Sequence, residues 1–192
     1  MNSRVGALAA AERLLAEGTS FSALSMQCIA DEAGVARSTL YLYFKEKSAP
    51  LIRPASGLES GSYRLMSSWS PDRPDALNRL ADTLEEVIGH YRQRRHVLRA
   101  MLEAADRDST AGRLRADEPD PFQELCQRWI GQAQATGRTS AAVDPATAGQ
   151  VIVHGGFRVI AHQVLTGDPD RDATVARELA ANQWYGVFRR PG

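Results

Sequence analysis

Only two cysteines, Cys28 and Cys126, occur in the 192 residues, and neither has a second cysteine at metal-ligand spacing. A disulfide framework and a zinc site are therefore excluded as organising devices, and a reducing compartment suits such a chain. Net charge is missing too. Its 23 basic side chains balance 23 acidic ones, so this is no bulk polycation that would coat nucleic acid indiscriminately. There is no apolar run long enough to span a bilayer and no basic leader followed by an apolar core and a cleavage site. The expectation is a cytoplasmic protein with no membrane partner. Catalytic signatures are also lacking. Glu85, Glu86, Asp106 and Asp108 have no neighbouring base, glycine-rich phosphate loop or activated nucleophile beside them. The chain is expected not to be an enzyme and to need no cofactor, with an all-helical enzyme assembled across helices kept as an alternative. No internal repeat or low-complexity segment stands out.

What the sequence does contain is a patterned stretch from Ser25 to Lys47. Ser25 stands where an N-cap hydroxyl is wanted, ahead of a short helix with Ile29 and Ala33 on one apolar face. Gly34 follows, and glycine takes the left-handed conformation that ends a helix without a Cβ penalty. Ala30 is small enough for two steeply crossing helices to meet. After the turn, Val35, Leu40 and Phe44 can face a core, which leaves Arg37, Ser38, Thr39, Tyr41 and Tyr43 pointing outward. Small residue, turn glycine and later core leucine, in that order, are the grammar of a DNA-reading helix-turn-helix. The outward set has fitting chemistry. Arg37 offers a fork for guanine or phosphate, and the hydroxyls of Ser38, Thr39, Tyr41 and Tyr43 can bond phosphate or base edges. Lys47, beyond the recognition helix, is placed to meet a phosphate. From Ala36 to Arg53 the cations Arg37, Lys45, Lys47 and Arg53 stand against the single acid Glu46, a local excess of three positive charges. Doubled by symmetry in a dimer, this predicts salt-dependent, site-specific affinity. The plainer alternative is that these side chains are solvated surface cover.

Ile29-Ala-Asp-Glu-Ala-Gly-Val35, Thr39-Leu-Tyr41 and Tyr43-Phe-Lys-Glu-Lys47 resemble the TetR/AcrR family of transcriptional repressors. The resemblance lies in these motifs up to Lys47 and, beyond them, in helical layout only. It implies a homodimer on a near-palindromic double-stranded operator, released when a small molecule enters a pocket in the C-terminal domain. The layout and the tryptophan in Gln127-Arg-Trp-Ile130 look like the EthR-type branch, and that likeness implies that Trp129, His154 and Trp184 line the pocket.

The rest of the chain reads as helices. Val5, Leu8, Ala9 and Leu15 predict an opening helix from about Ser3 to Glu17, ended by Gly18, with Phe21 and Leu24 locking it onto the helix-turn-helix. Where the family runs a long fourth helix, Pro50, Pro54 and Gly57 interrupt. Proline costs about 3 kcal/mol inside a helix, so the fourth helix is expected to be short, kinked or late to start. That interruption motivates a rival reading, a helical small-molecule carrier that no longer reads DNA. Trp69 to Asp75 is a break. Leu77, Leu80, Leu84, Val87, Ile88 and Tyr91 then form a stripe, and a second helix runs from His96 to about Asp106. Arg107 to Pro121 is a polar connection. Phe122, Leu125, Cys126, Trp129, Ile130 and Ala133 hold the cleanest helical period, ended by Gly137. Pro145 to Leu165 is apolar on most sides, and a last helix covers about Asp170 to Phe188. These two are expected to make a four-helix dimer interface with a twin, Gly155 and Gly156 permitting close approach. The fold class predicted is all-α, with a helix-turn-helix domain at residues 1–48 and a helical ligand-binding and dimerisation domain at 49–192.

An effector pocket in such a body needs apolar walls and a few polar groups. Tyr91, Met101, Phe122, Cys126, Trp129, Phe157 and Trp184 can supply the walls, and His154, on a helix expected to be buried, the polar group; plain core is the alternative for each. His154, Arg158 and His162 share one stripe, but a cation between two histidines argues against a metal site, so no metal is expected. The whole predicts a DNA-binding transcriptional regulator, a repressor released by a small apolar or amphipathic effector.

Overall fold

The computed structural model describes residues 3–44, 49–107 and 120–191, apart from the side chains of 49–53, 106 and 107. Among the described residues there are ten α-helices and no strand: α1 Ser3–Ala16, α2 Met26–Ala33, α3 Arg37–Tyr41, α4 Ala49–Ser67, α5 Ala76–Gln93, α6 Arg95–Arg107, α7 Pro121–Ala135, α8 Pro145–Gln150, α9 Gly156–Thr166 and α10 Asp172–Gln183. A π-helical turn, Val151–Gly155, joins α8 to α9, and another, Trp184–Phe188, extends α10. The all-helical class is as the periodicities require.

The helices gather into two compact units, Met1–Ser60 with Arg94–Asp117 and Gly61–Gln93 with Glu118–Gly192. This division differs from a cut at 48/49 because α6 packs with α1. Arg94 Nη2 donates to Glu12 Oε1 at 2.6 Å, and His96 Nε2 lies 3.8 Å from the same oxygen. Further along α6, Glu103 accepts the backbone N–H of Phe21 at 2.8 Å.

In the first unit, α1 buries Ala7, Leu8, Ala10, Ala11 and Leu15. Val5 and Ala9, expected on that face, are exposed. The correction has a steric cause. α1 packs along α2, and the face it buries includes Ala7, Ala10 and Ala11, whose small side chains suit a close approach, while Val5 lies off that face. Phe21 and Leu24 are buried as expected. Ser25 caps α2, its Oγ accepting from Cys28 N at 3.1 Å. Gly34 ends the helix at φ 67°, in the left-handed region. Met26, Ile29 and Ala30 form the buried face, while Ala33 is only partly covered.

The fourth helix corrects two parts of an expectation, its length and its start. It is neither short nor late, running from Ala49 to Ser67 with Pro54 inside it. Pro50 falls in the first turn, where backbone N–H groups have no intrahelical acceptor to lose. Pro54 does forfeit one bond, but it is buried together with Ala55 and Leu58. Burial of a leucine side chain contributes about 1.5–3 kcal/mol, comparable to the cost of the proline.

In the second unit, α5 packs along α10. Leu80, Leu84, Val87, Ile88 and Tyr91 are buried on one, and Ala176 and Ala180 on the other. Arg92 ties the end of α5 to the start of α10, its Nε and Nη2 donating to the two carboxylate oxygens of Asp172 at 2.7 and 2.6 Å. Gln163, at the end of α9, donates to the same carboxylate at 2.7 Å. Around Trp69 an aromatic cluster closes: Trp129 at 4.8 Å, Phe188 at 5.1 Å and Trp184 at 6.5 Å between ring centroids. The Trp69 indole N–H donates to Ala76 O at 2.8 Å. Gly156 permits a close approach, since a Cβ there would lie 3.3 Å from Gln183 Nε2, whereas Gly155 faces open space.

Candidate nucleic-acid interface

α3 is oriented by two buried residues one turn apart, Leu40 and Phe44. At about 100° per residue, that anchoring turns Ser38 outward and sets Tyr41 and Tyr43 on the two flanks, while Arg37, the first residue of the helix, starts near the anchored side; all four are exposed, and Thr39 is partly covered. Arg37 and Tyr41 act as a pair. Arg37 Nη2 donates to the Tyr41 hydroxyl at 3.0 Å, and the guanidinium lies 5.4 Å from the Tyr41 ring centroid. Hydrogen bond and cation–π contact together restrict the guanidinium before any partner arrives. Lys47 and its neighbour Lys45 lie outside the described residues, as does the Arg53 side chain.

Arg37 and Tyr41 also border an open depression of about 490 Å³ whose other edges include Ser22, Ser25, Met26 and Gln27. Ser22 and Gln27 are exposed polar residues that the sequence reading passed over. Their signal was available, because both lie within three residues of the Ser25 cap and so at the amino end of α2, where unpaired backbone N–H groups favour anions. Leu42 was passed over as well. It is 80% exposed, and its phase relative to Leu40 and Phe44 could have been read directly.

The residues expected to wall a pocket divide between the two units. Met101, on α6, belongs to the first unit, and the other seven to the second. Trp129 and Trp184 stand in the aromatic cluster around Trp69, with the Arg189 guanidinium 4.0 Å from the Trp184 ring centroid. Tyr91 shares a buried hydrogen bond with Ser62 at 3.1 Å and sets its ring 6.1 Å from Phe157, while Phe122 meets Tyr63 edge-on at 5.4 Å. Burial, with the Asp120 charge adding to it, pushes the Cys126 thiol up to about 12. His154 departs from expectation. It is exposed in the single chain and accepts from the Gln123 side-chain amide at 3.1 Å, because the helix from Pro145 to Thr166 buries one face and not all. His162, two turns on, lies 3.2 Å from the Thr166 hydroxyl. Among the described residues no group of three or more His, Cys, Asp or Glu is placed to hold a metal.

In sequence, residues 7–49 match the family model for bacterial regulatory proteins of the tetR family. Those residues form a TetR-type N-terminal domain. In structure, the chain is similar over its whole length to the fatty acid degradation regulator FadR from Bacillus halodurans, with TM-score 0.74, 18% identity and coverage of 99% of this chain and 98% of that one. FadR from Bacillus subtilis, solved in complex with stearoyl-CoA, gives TM-score 0.73 at 17% identity, over 95% of this chain and 98% of that one. NalD, the secondary repressor of the MexAB-OprM multidrug efflux pump in Pseudomonas aeruginosa, gives 0.67 at 22%, over 98% of each chain. The chain thus shares the fold of these regulators. No curated protein sequence matches the chain. Among the described residues no helix is long and apolar enough to cross a membrane.

Proposed function

We propose that this chain is a cytoplasmic transcriptional regulator, most simply a repressor, whose residues 1–48 read DNA and whose residues 49–192 hold a small apolar or amphipathic effector and the dimer interface. The observation that carries the reading is the solvent-facing set on α3, Arg37, Ser38, Tyr41 and Tyr43, presented by a TetR-type domain whose cap, turn and core anchor are all in place. A homodimer through the last two helices supplies two such faces to a near-palindromic operator, spaced by one DNA turn of about 34 Å. The effector acts by population shift, binding better to a body shape in which that spacing is lost. An acyl ligand such as the one in the FadR complex supports the effector class without naming the molecule. The EthR-type branch is the finer reading; it rests on the helical layout and on Trp129, and it implies that Trp129, His154 and Trp184 line the pocket.

The rival reading, a carrier that no longer reads DNA, drew on an interrupted fourth helix. With α4 continuous through Pro54, it loses its motive. The deciding experiment is fluorescence anisotropy of the purified chain with duplex DNA flanking its own coding region, at two salt concentrations. Affinity should fall steeply with salt, and Arg37→Ala should weaken it by about 1–3 kcal/mol if the guanidinium reads a base edge. Binding no tighter than to random duplex, in this DNA and in a library selection, would remove the regulator reading.

A further inference from the structure

Leu42 is the most exposed large apolar residue among those described, at 80%. It caps the C-terminal end of α3 with helical backbone angles, φ −69° and ψ −26°, so the helix phase still applies to it. Leu40 and Phe44, both buried, define the direction of the core. At about 100° per residue, Leu42 lies about 180° from the mean of those two. It therefore stands at the outermost line of the reading face, with Ser38 one turn before it and Tyr41 and Tyr43 on either side. A leucine at that point gains nothing from the folded single chain, since it buries almost no surface there.

In a major groove the outermost line of a recognition helix meets the base edges, and the one apolar group among those edges is the thymine 5-methyl. We propose that Leu42 is a specificity-determining residue that packs on a thymine methyl in each operator half-site, adding apolar readout to the polar contacts of Arg37 and Ser38. The proposal rests on the reading of α3 as a DNA-recognition helix and names what one residue of it selects. Arg37 is held towards Tyr41 on the flank, so the guanidinium and the leucine address different base pairs.

The test begins with the full-length protein and a random double-stranded library, from which its preferred duplex is enriched. Each thymine is then replaced in turn by deoxyuridine, which removes the methyl and leaves every hydrogen-bonding group. At one position per half-site the replacement should weaken binding about fourfold, the equivalent of ~0.8 kcal/mol per methyl-sized group at 1.4 kcal/mol per tenfold. Leu42→Ala, at a surface position where folding is not at stake, should bind the thymine duplex more weakly and no longer distinguish deoxyuridine at that position, with its salt slope unchanged. An enriched duplex whose thymines can all be replaced without loss, or a deoxyuridine penalty that persists in Leu42→Ala, overturns this contact while leaving the DNA-reading assignment standing. Failure to enrich any duplex overturns both.

Discussion

Asp172→Asn isolates the tie between α5, α9 and α10. The wild-type carboxylate accepts from Arg92 Nε and Nη2 and from Gln163 Nε2, at 2.7, 2.6 and 2.7 Å. Fully exposed ion pairs contribute about 0–1 kcal/mol, and breaking a fully buried one costs about 3–5. With side-chain exposures of 20% for Arg92 and 16% for Asp172, this pair lies nearer the buried limit, and the asparagine can still accept the two bonds that fall on Oδ1 while its amide nitrogen is set against Arg92 Nε. The expected loss is about 2–3 kcal/mol, or roughly 4–12 °C in Tm for a chain of this size. Trp69, Trp129 and Trp184 are the only tryptophans and all lie in the second unit, so tryptophan fluorescence in a urea titration reports the affected unit. Burial pushes the Asp172 carboxyl up, but the hydrogen bonds from Arg92 and Gln163, with the Arg92 charge, outweigh it and hold the group below its ordinary value. A carboxyl whose folded pKa is depressed stabilises fully above its unfolded pKa of about 3.9 and loses that contribution as pH falls through the folded value. The gap between wild type and variant should be constant from neutral pH to about pH 5 and narrow below about pH 4. The exposed pair Arg79–Asp75 is the control, and Arg79→Gln should leave the midpoint where it is. An Asp172→Asn midpoint indistinguishable from that control, or a deficit that stays constant through the acid range, would refute the reasoning.

Thiol labelling and oligomeric state test other parts of the structure. Cys28 is exposed and Cys126 buried with its thiol pushed up to about 12, so a thiol reagent at pH 8 should titrate one cysteine per native chain and two after denaturation. Two fast-reacting thiols in the native chain would mean that α7 is not packed as described. Val151 and Tyr185, 67% and 62% exposed on the last two helical segments, are the apolar residues a twin would cover. Val151→Asp combined with Tyr185→Asp should sediment as a monomer with unchanged helical circular dichroism and should lose affinity for a two-half-site operator; a variant that still sediments as a dimer would place the interface elsewhere.

The parts of the fold that were legible in the sequence are those governed by neighbours along the chain. Ser25 and Gly34 each act over three or four residues, and the structure has the Oγ on Cys28 N and the φ of 67° that such a cap and such a turn demand. The α7 period, Leu125 to Ala133, is buried where it should be. Misreadings came where a distant partner decides. The α1 face passes through Ala7, Ala10 and Ala11, which carry little hydrophobic signal yet suit a close helix crossing, so weighting by size selected Val5 instead. Pro54 is a strong local signal against helix, and burial of its own surroundings in the folded unit overrides it. Trp69 opened what reads as a loop, and nothing nearby in sequence reveals that Trp129, Trp184 and Phe188 converge on it from more than fifty positions away.

The same distinction separates the two candidate sites. A recognition surface on one helix is a matter of phase: once Leu40 and Phe44 are assigned to the core, Ser38 points out and Tyr41 and Tyr43 flank it, while Arg37 is exposed as the first residue of the helix. A cavity has no phase, because its walls are whatever side chains are left unfilled when several helices have packed, and each wall residue has its own competing partner. Trp129 has Trp69, Tyr91 has Ser62 and Phe157, and His154 has Gln123. Aromatic content selects Trp129, Tyr91 and Phe157 equally well, so it cannot tell a lining residue from a packed one. Leu42 falls on the legible side of this divide. Hydropathy alone would assign it to the core with its neighbours, yet it stands two residues from Leu40 and two from Phe44, half a turn out of step with both, and the same count that buries them leaves it 80% exposed.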